Sequence, residues 1–189
     1  MEDAALPFAP RKPRQPLGED ALYESAVKLL GVRMRTVAEL RKQLERKAEP
    51  GPQGEAAVEA VILRLREYGY LDDASFAETY TRLRQENEKL GARRVRQDLA
   101  RKGVAAELIE EAVDARYDPA KEESLIRAHL ERKRLKKPTN EKEKARIMRR
   151  LVTAGFSTGA IYKVLRQWDV DEEQLGVLES FDAEAESEF

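Results

Sequence analysis

Three stretches of this chain carry apolar residues at one shared spacing, and that coincidence limits the possible fold more than any other feature. Leu40, Leu44 and Ala48 are followed by Val58 and Ile62. Val95, Leu99 and Gly103 are followed by Ile109 and Val113, and Ile147, Leu151 and Gly155 by Ile161 and Leu165. Steps of four put each set on one face of a helix. The copies are offset by 55 and then 52 residues, and a Pro/Gly-bearing stretch in the first copy, residues 49–54, accounts for most of the difference. Helical periods precede the pairs, as at Leu22, Ala26, Leu29 and Leu30, and at Phe76, Tyr80 and Leu83. No stretch alternates in the manner of a strand. The chain therefore reads as all-α, with three tandem three-helix repeats over residues 20–71, 72–118 and 119–170. A unit of about 50 residues buries little surface alone. Neighbours are thus expected to stack into a curved, elongated array that offers a long concave face. The competing reading is one irregular helical bundle.

The breaks between helices carry their own chemistry. Gly69, Gly103 and Gly155 each follow a periodic segment and precede an apolar residue, namely Tyr70, Val104 and Phe156. Glycine takes the left-handed conformation that ends a helix, and the next apolar residue can fold back on the last turn. Asp72 or Asp73 is placed to cap the helix carrying Phe76, and Ser157 the helix carrying Ile161.

Charge is distributed unevenly. Asp169 to Phe189 holds nine acidic residues and no Lys or Arg, whereas residues 1–168 hold all 35 basic residues and 27 of the 36 acidic ones, a body of +8. A basic body with an acidic tail at 171–189 points to polyanions or acidic protein surfaces as partners, or to a tail that serves solubility. The second helix of every unit is basic. It carries Arg41, Lys42, Arg46 and Lys47 in the first unit, with Arg33 and Arg35 just before. It carries Arg93, Arg94, Arg96, Arg101 and Lys102 in the second, and Lys142, Lys144, Arg146, Arg149 and Arg150 in the third. A dense patch, Arg132 to Lys137, precedes the last. Stacking would line these helices up as a stripe for phosphates or carboxylates, although charge runs also form ordinary solvated faces. The candidate partner-binding residues are Arg33, Arg35, Arg41, Arg93, Arg94, Arg96, Arg101, Lys102, Arg146, Arg149 and Arg150.

Other chemistry is sparse. The chain has no cysteine and one histidine, His129, which among charged neighbours reads as a helix-surface residue. No Walker-type loop occurs. Asp72-Asp73 reads as a cap rather than an acid–base pair, and Tyr80, Phe156 and Trp168 sit at core spacing. No cofactor, metal or catalytic residue is expected. No segment approaches the roughly 20 apolar residues of a membrane span. A cytoplasmic, monomeric protein is the expectation. Residues 1–19, with Pro7, Pro10, Pro13 and Pro16 at a spacing of three, read as a disordered arm or a polyproline docking peptide.

Gly69-Tyr70-Leu71-Asp72-Asp73, then Phe76-Ala77 and Tyr80, resembles the signature of the RecX regulatory proteins. Gly91, Arg94, Val95, Leu99, Lys102, Gly103, Val104, Ile109 and Ala112 extend the likeness. So do Leu29-Leu30, Arg33, Arg35, Glu39-Leu40 and Leu44 in the first unit, and Leu151, Gly155-Phe156 and Ile161 in the third. The resemblance covers about residues 20–168. It implies a non-enzymatic helical-repeat protein that binds the RecA recombinase nucleoprotein filament in its groove. It further implies restraint of filament growth, ATP turnover and strand exchange in recombination and the DNA-damage response, with weak single- or double-stranded DNA binding. The alternative from the residues alone is a nucleic-acid-binding helical module that uses the basic stripe without a recombinase.

Overall fold

The computed structural model describes residues 16–168. Of the proline arm expected over residues 1–19, positions 1–15 lie outside those residues, as does the acidic tail at 171–189, while Glu19 starts α1. Among the described residues nine α-helices follow in order: α1 (Glu19–Val32), α2 (Val37–Glu45), α3 (Pro52–Glu67), α4 (Asp73–Leu83), α5 (Ala92–Arg101), α6 (Ala106–Asp114), α7 (Glu122–Arg132), α8 (Glu141–Thr153) and α9 (Thr158–Arg166). The described β pairing is one isolated bridge, Leu17 to Ala48. No described helix is long and apolar enough to cross a membrane. The chain divides into two compact units between Leu71 and Asp72.

The first unit packs α1 and α2 against α3. Its core is Leu22, Ala26, Leu40, Leu44, Val58, Val61, Ile62, Leu65 and Leu71. Thr36 caps α2 by accepting from the Glu39 amide, and Leu17 donates its amide to Lys47 O at 2.8 Å, tying the entering chain to the end of α2. The Pro/Gly stretch does not stay a loop. Gly51, at φ 103°, turns the chain so that Pro52 starts α3, where a proline's fixed φ suits the first helical position. Gly54 in that first turn lies so close to Glu49 that a Cβ would sit 1.7 Å from its carbonyl oxygen. The extra residues thus lengthen α3 to 16 residues, against 9 in α6 and in α9.

The second unit holds two apolar clusters. One gathers Phe76, Ala77, Val95, Leu99, Val104, Ile109, Ala112 and Val113 from α4, α5 and α6. The other gathers α7, α8 and α9 around Ile126, Leu130, Leu151, Phe156, Ile161 and Leu165. All twelve Val, Leu and Ile residues that define the repeat are buried. In every three-helix set the first helix packs on the third, and the second on the third.

The three glycines all have positive φ: 70° at Gly69, 77° at Gly103 and 88° at Gly155. Each is followed by an amide that reaches back five residues: Tyr70 to Leu65 O, Val104 to Leu99 O and Phe156 to Leu151 O. This pattern satisfies carbonyls that the helix end would leave free. Val104 and Phe156 bury their side chains, but Tyr70 is 60% exposed and Leu71 fills the core in its place. Asp72 and Ser157 cap as expected, accepting from Ala74 and Ser75, and from Ala160.

Two further expectations fail. Leu83 is exposed, because the buried face of α4 runs through Ala77 and Thr81 before the helix opens into a π turn at Arg84–Glu88. His129 is only 4% exposed. It sits edge-on to Phe156, with Nδ1 2.9 Å from Lys89 O, and burial holds its pKa below the usual imidazole range. Its charged sequence neighbours point outward from other faces of α7.

A backbone joint connects the two clusters. The start of α5 meets the end of α8: Gly91 donates to Ala154 O at 2.8 Å and Arg93 to Gly155 O at 3.3 Å. Amides without partners inside their own helix thereby meet the carbonyls that close another. A Cβ on Gly91 would lie 2.2 Å from Gly155 O, and one on Gly155 would lie 2.2 Å from the Arg94 amide. The Lys89-Leu90-Gly91 segment is held from both sides, since Tyr117 donates to Leu90 O at 2.9 Å.

Candidate polyanion-binding groove

The joint brings side chains from α5, α7 and α8 to one groove of about 700 Å³. Six cations line it: Arg84 after α4, Arg94 on α5, Lys133 after α7, and Arg146, Arg149 and Arg150 on α8. Among the described residues two carboxylates, Glu88 and Asp98, share it, and its apolar lining includes Leu90, Leu135 and Ala154.

The cations are not equivalent. Arg84 pairs with Glu88 and lies 4.7 Å over the Tyr80 ring. Burial works against its charge, but Tyr80 and Glu88 outweigh that and raise its pKa. Burial also pushes the Tyr80 hydroxyl up. Arg94 pairs with Asp98 at 3.1 Å. Arg149 donates from Nε to Ala145 O. Arg146, Arg150 and Lys133 make no ion pair with the described residues. A helix face that places guanidinium groups at i, i+3 and i+4 without acids between them suits forked contacts with phosphate or carboxylate oxygens.

The remaining expected site residues fall elsewhere. Arg93 and Arg96 line a second cleft of about 800 Å³, where with Arg116 and Lys121 they face Asp114, Asp118 and Glu122. Four cations against three acids leave that cleft nearly neutral, so its size does not make it the stronger polyanion site. Arg96 is held there by Glu110 and Asp114, each at 2.8 Å. Arg101 is 3.9 Å from Asp98, and Lys102 lies 5.6 and 5.5 Å from the Phe76 and Tyr80 ring centres. In the first unit Arg33 is exposed, Arg35 reaches Leu29 O at 3.4 Å, and Arg41 pairs with Glu59 at 2.9 Å. Thus Arg94, Arg146, Arg149 and Arg150 come together, while Arg93 and Arg96 turn to the other cleft. The sequence reading missed Arg84 and Glu88. Their signal was the i, i+4 series Tyr80, Arg84 and Glu88.

Helical architecture in three-helix sets, with a cationic groove across a backbone joint, defines an all-helical repeat protein. The family model described as the RecX first three-helix domain matches residues 23–65, and that of the RecX second three-helix domain matches residues 72–113. The chain is 37% identical to the regulatory protein RecX of Mycolicibacterium smegmatis over 154 residues, covering 78% of this chain and 79% of that protein. It is 33% identical to that of Thermobifida fusca, covering 88% of this chain and 91% of that one. It is 43% identical to that of Deinococcus radiodurans over 60% of this chain, which spans only 52% of that longer relative. A crystal structure of regulatory protein RecX superposes with a TM-score of 0.65 at 23% identity, covering 79% of this chain and 71% of that one. RecX from Lactobacillus salivarius gives 0.62 at 21% identity, over 80% and 96%. These two likenesses show the fold. The chain belongs to the RecX family of regulatory proteins.

Proposed function

We propose that this chain is a non-enzymatic regulator of the RecA recombinase. It binds the nucleoprotein filament in its helical groove and restrains filament growth, ATP hydrolysis and strand exchange. It acts as a monomer in the cytoplasm. Family membership supports the partner. The observation that carries the contact assignment is the groove, where among the described residues six cations meet two carboxylates and the α8 arginines form no salt bridge. Such a surface fits the carboxylates or phosphates that a protein–DNA filament presents. Arg94, Arg146, Arg149 and Arg150 make the central contacts in this reading. Arg33, Arg35, Arg41, Arg101 and Lys102 are further contacts.

The test is single-stranded-DNA-dependent ATP hydrolysis by the RecA of the same organism, titrated with this protein. Inhibition is expected well below one copy per recombinase protomer. Changing Arg146, Arg149 and Arg150 to Gln should weaken it while the helical circular dichroism stays unchanged. No inhibition at any ratio, together with salt-steep binding to bare DNA, would replace this reading with the nucleic-acid module, which the same groove serves equally well.

A further inference from the structure

Trp168 is the last described residue. It packs on the α7–α9 cluster, and its amide is bonded to Leu165 O, so the chain leaves α9 on the same three-helix set that supplies α8 to the groove. The 21 residues beyond it carry Asp169, Asp171, Glu172, Glu173, Glu179, Asp182, Glu184, Glu186 and Glu188, with Leu175, Val177, Leu178 and Phe181 interspersed and no cation. We propose that this C-terminal segment occupies the groove between α5 and α8, where it competes intramolecularly with the polyanion. The inference rests on the reading of that groove as a polyanion site.

Four properties support this occupant. The charges are complementary, with nine carboxylates available to a groove whose cations exceed its acids by four. Apolar content is complementary too, since the segment's leucines and phenylalanines match the half-buried Leu90 and Leu135. Reach is ample: an extended segment of this length spans up to about 70 Å, whereas α8, at 13 residues, is about 20 Å long. Tethering also raises the segment's local concentration to the order of millimolar, enough for weak ionic contacts to compete with a separate ligand. The second cleft offers no such mismatch of charge, because its acids nearly equal its cations.

The experiment uses the full chain. The protein has no cysteine, so a nitroxide on Ser180→Cys labels a single site. The label should broaden the amide resonances of Arg146, Arg149 and Arg150 and leave those of Asp114 and Tyr117, in the other cleft, sharp. Broadening should fade at about 0.5 M salt, where the screening length falls below about 5 Å. In parallel, changing the nine acids to their amides should tighten binding of a fluorescent oligothymidylate by about fivefold or more at low salt. That gain should disappear when Arg146, Arg149 and Arg150 are also Gln. If those arginine changes do not alter oligothymidylate binding by the protein with the amide tail, where no competing acids remain, the groove reading itself fails. If they weaken binding, yet the nitroxide leaves α8 sharp and the amide tail gives the same gain with or without the arginines, the groove stands and the tail inference is overturned.

Discussion

Helices α5 and α8 hold the same place in consecutive three-helix sets and both are rich in arginine, yet their arginines are differently committed. On α5, Arg94 and Arg96 are both paired with acids, and Arg101 also approaches Asp98. On α8, Arg146 and Arg150 form no salt bridge among the described residues, and Arg146 has only a longer-range attraction to Glu143. The 52-residue offset explains the contrast. Arg94 corresponds to Arg146, but Asp98, its i+4 partner, corresponds to Arg150. The following helices diverge as well: α6 presents Glu110 and Asp114, whereas α9, TGAIYKVLR, contains no acid. The acids of α8 itself are engaged at its start, where Glu143 accepts from Thr139 and Glu141 lies 3.0 Å from Lys144. A cation count therefore does not identify a contact surface. The acids at i+4 and on the next helix decide which arginines remain available.

The largest effect should come from removing the joint that lets the two helices be compared. Gly155→Ala forces a Cβ to within 2.2 Å of the Arg94 amide at a residue with φ of 88°. It should cost about 2–4 kcal/mol, read as a drop in thermal midpoint, because backbone on both sides resists displacement. Next comes conversion of α8 to the α5 pattern. Arg150→Asp should pair with Arg146 and remove a like-charge neighbour, leaving stability unchanged or higher by about 0.5 kcal/mol. It should also weaken oligothymidylate binding by about tenfold at low salt, since two charges are reversed in sign or neutralised. Unchanged binding would show that α8 is not the contact helix. The smallest effect should be Arg96→Gln, which opens half-exposed ion pairs worth about 0.5–1 kcal/mol and leaves oligothymidylate affinity as it was. A loss of affinity there would place the contact surface on the other cleft.

Apolar spacing and glycine positions were enough to recognise the helical repeat, because they record interactions between near neighbours: steps of four, a left-handed turn, a cap. Long-range pairing left weaker marks. Gly91 and Gly155 both stood out in the sequence, but nothing local revealed that they touch, since their contact spans 64 positions and is made by backbone. His129 was misplaced for a related reason: its burial depends on Phe156 and Lys89 O, both remote in sequence. The groove needed that same joint, so Arg94 and the α8 arginines could be named individually but not assembled.

The joint also has a temporal meaning. The amides of Gly91 and Arg93 lie at the beginning of α5 and bond outside their own helix, to Ala154 and Gly155. In isolation such positions would trade their protons with solvent as freely as any fraying end. Here their exchange with deuterium requires the two helical sets to part, so these two protons act as a clock for the separation of one repeat from the next.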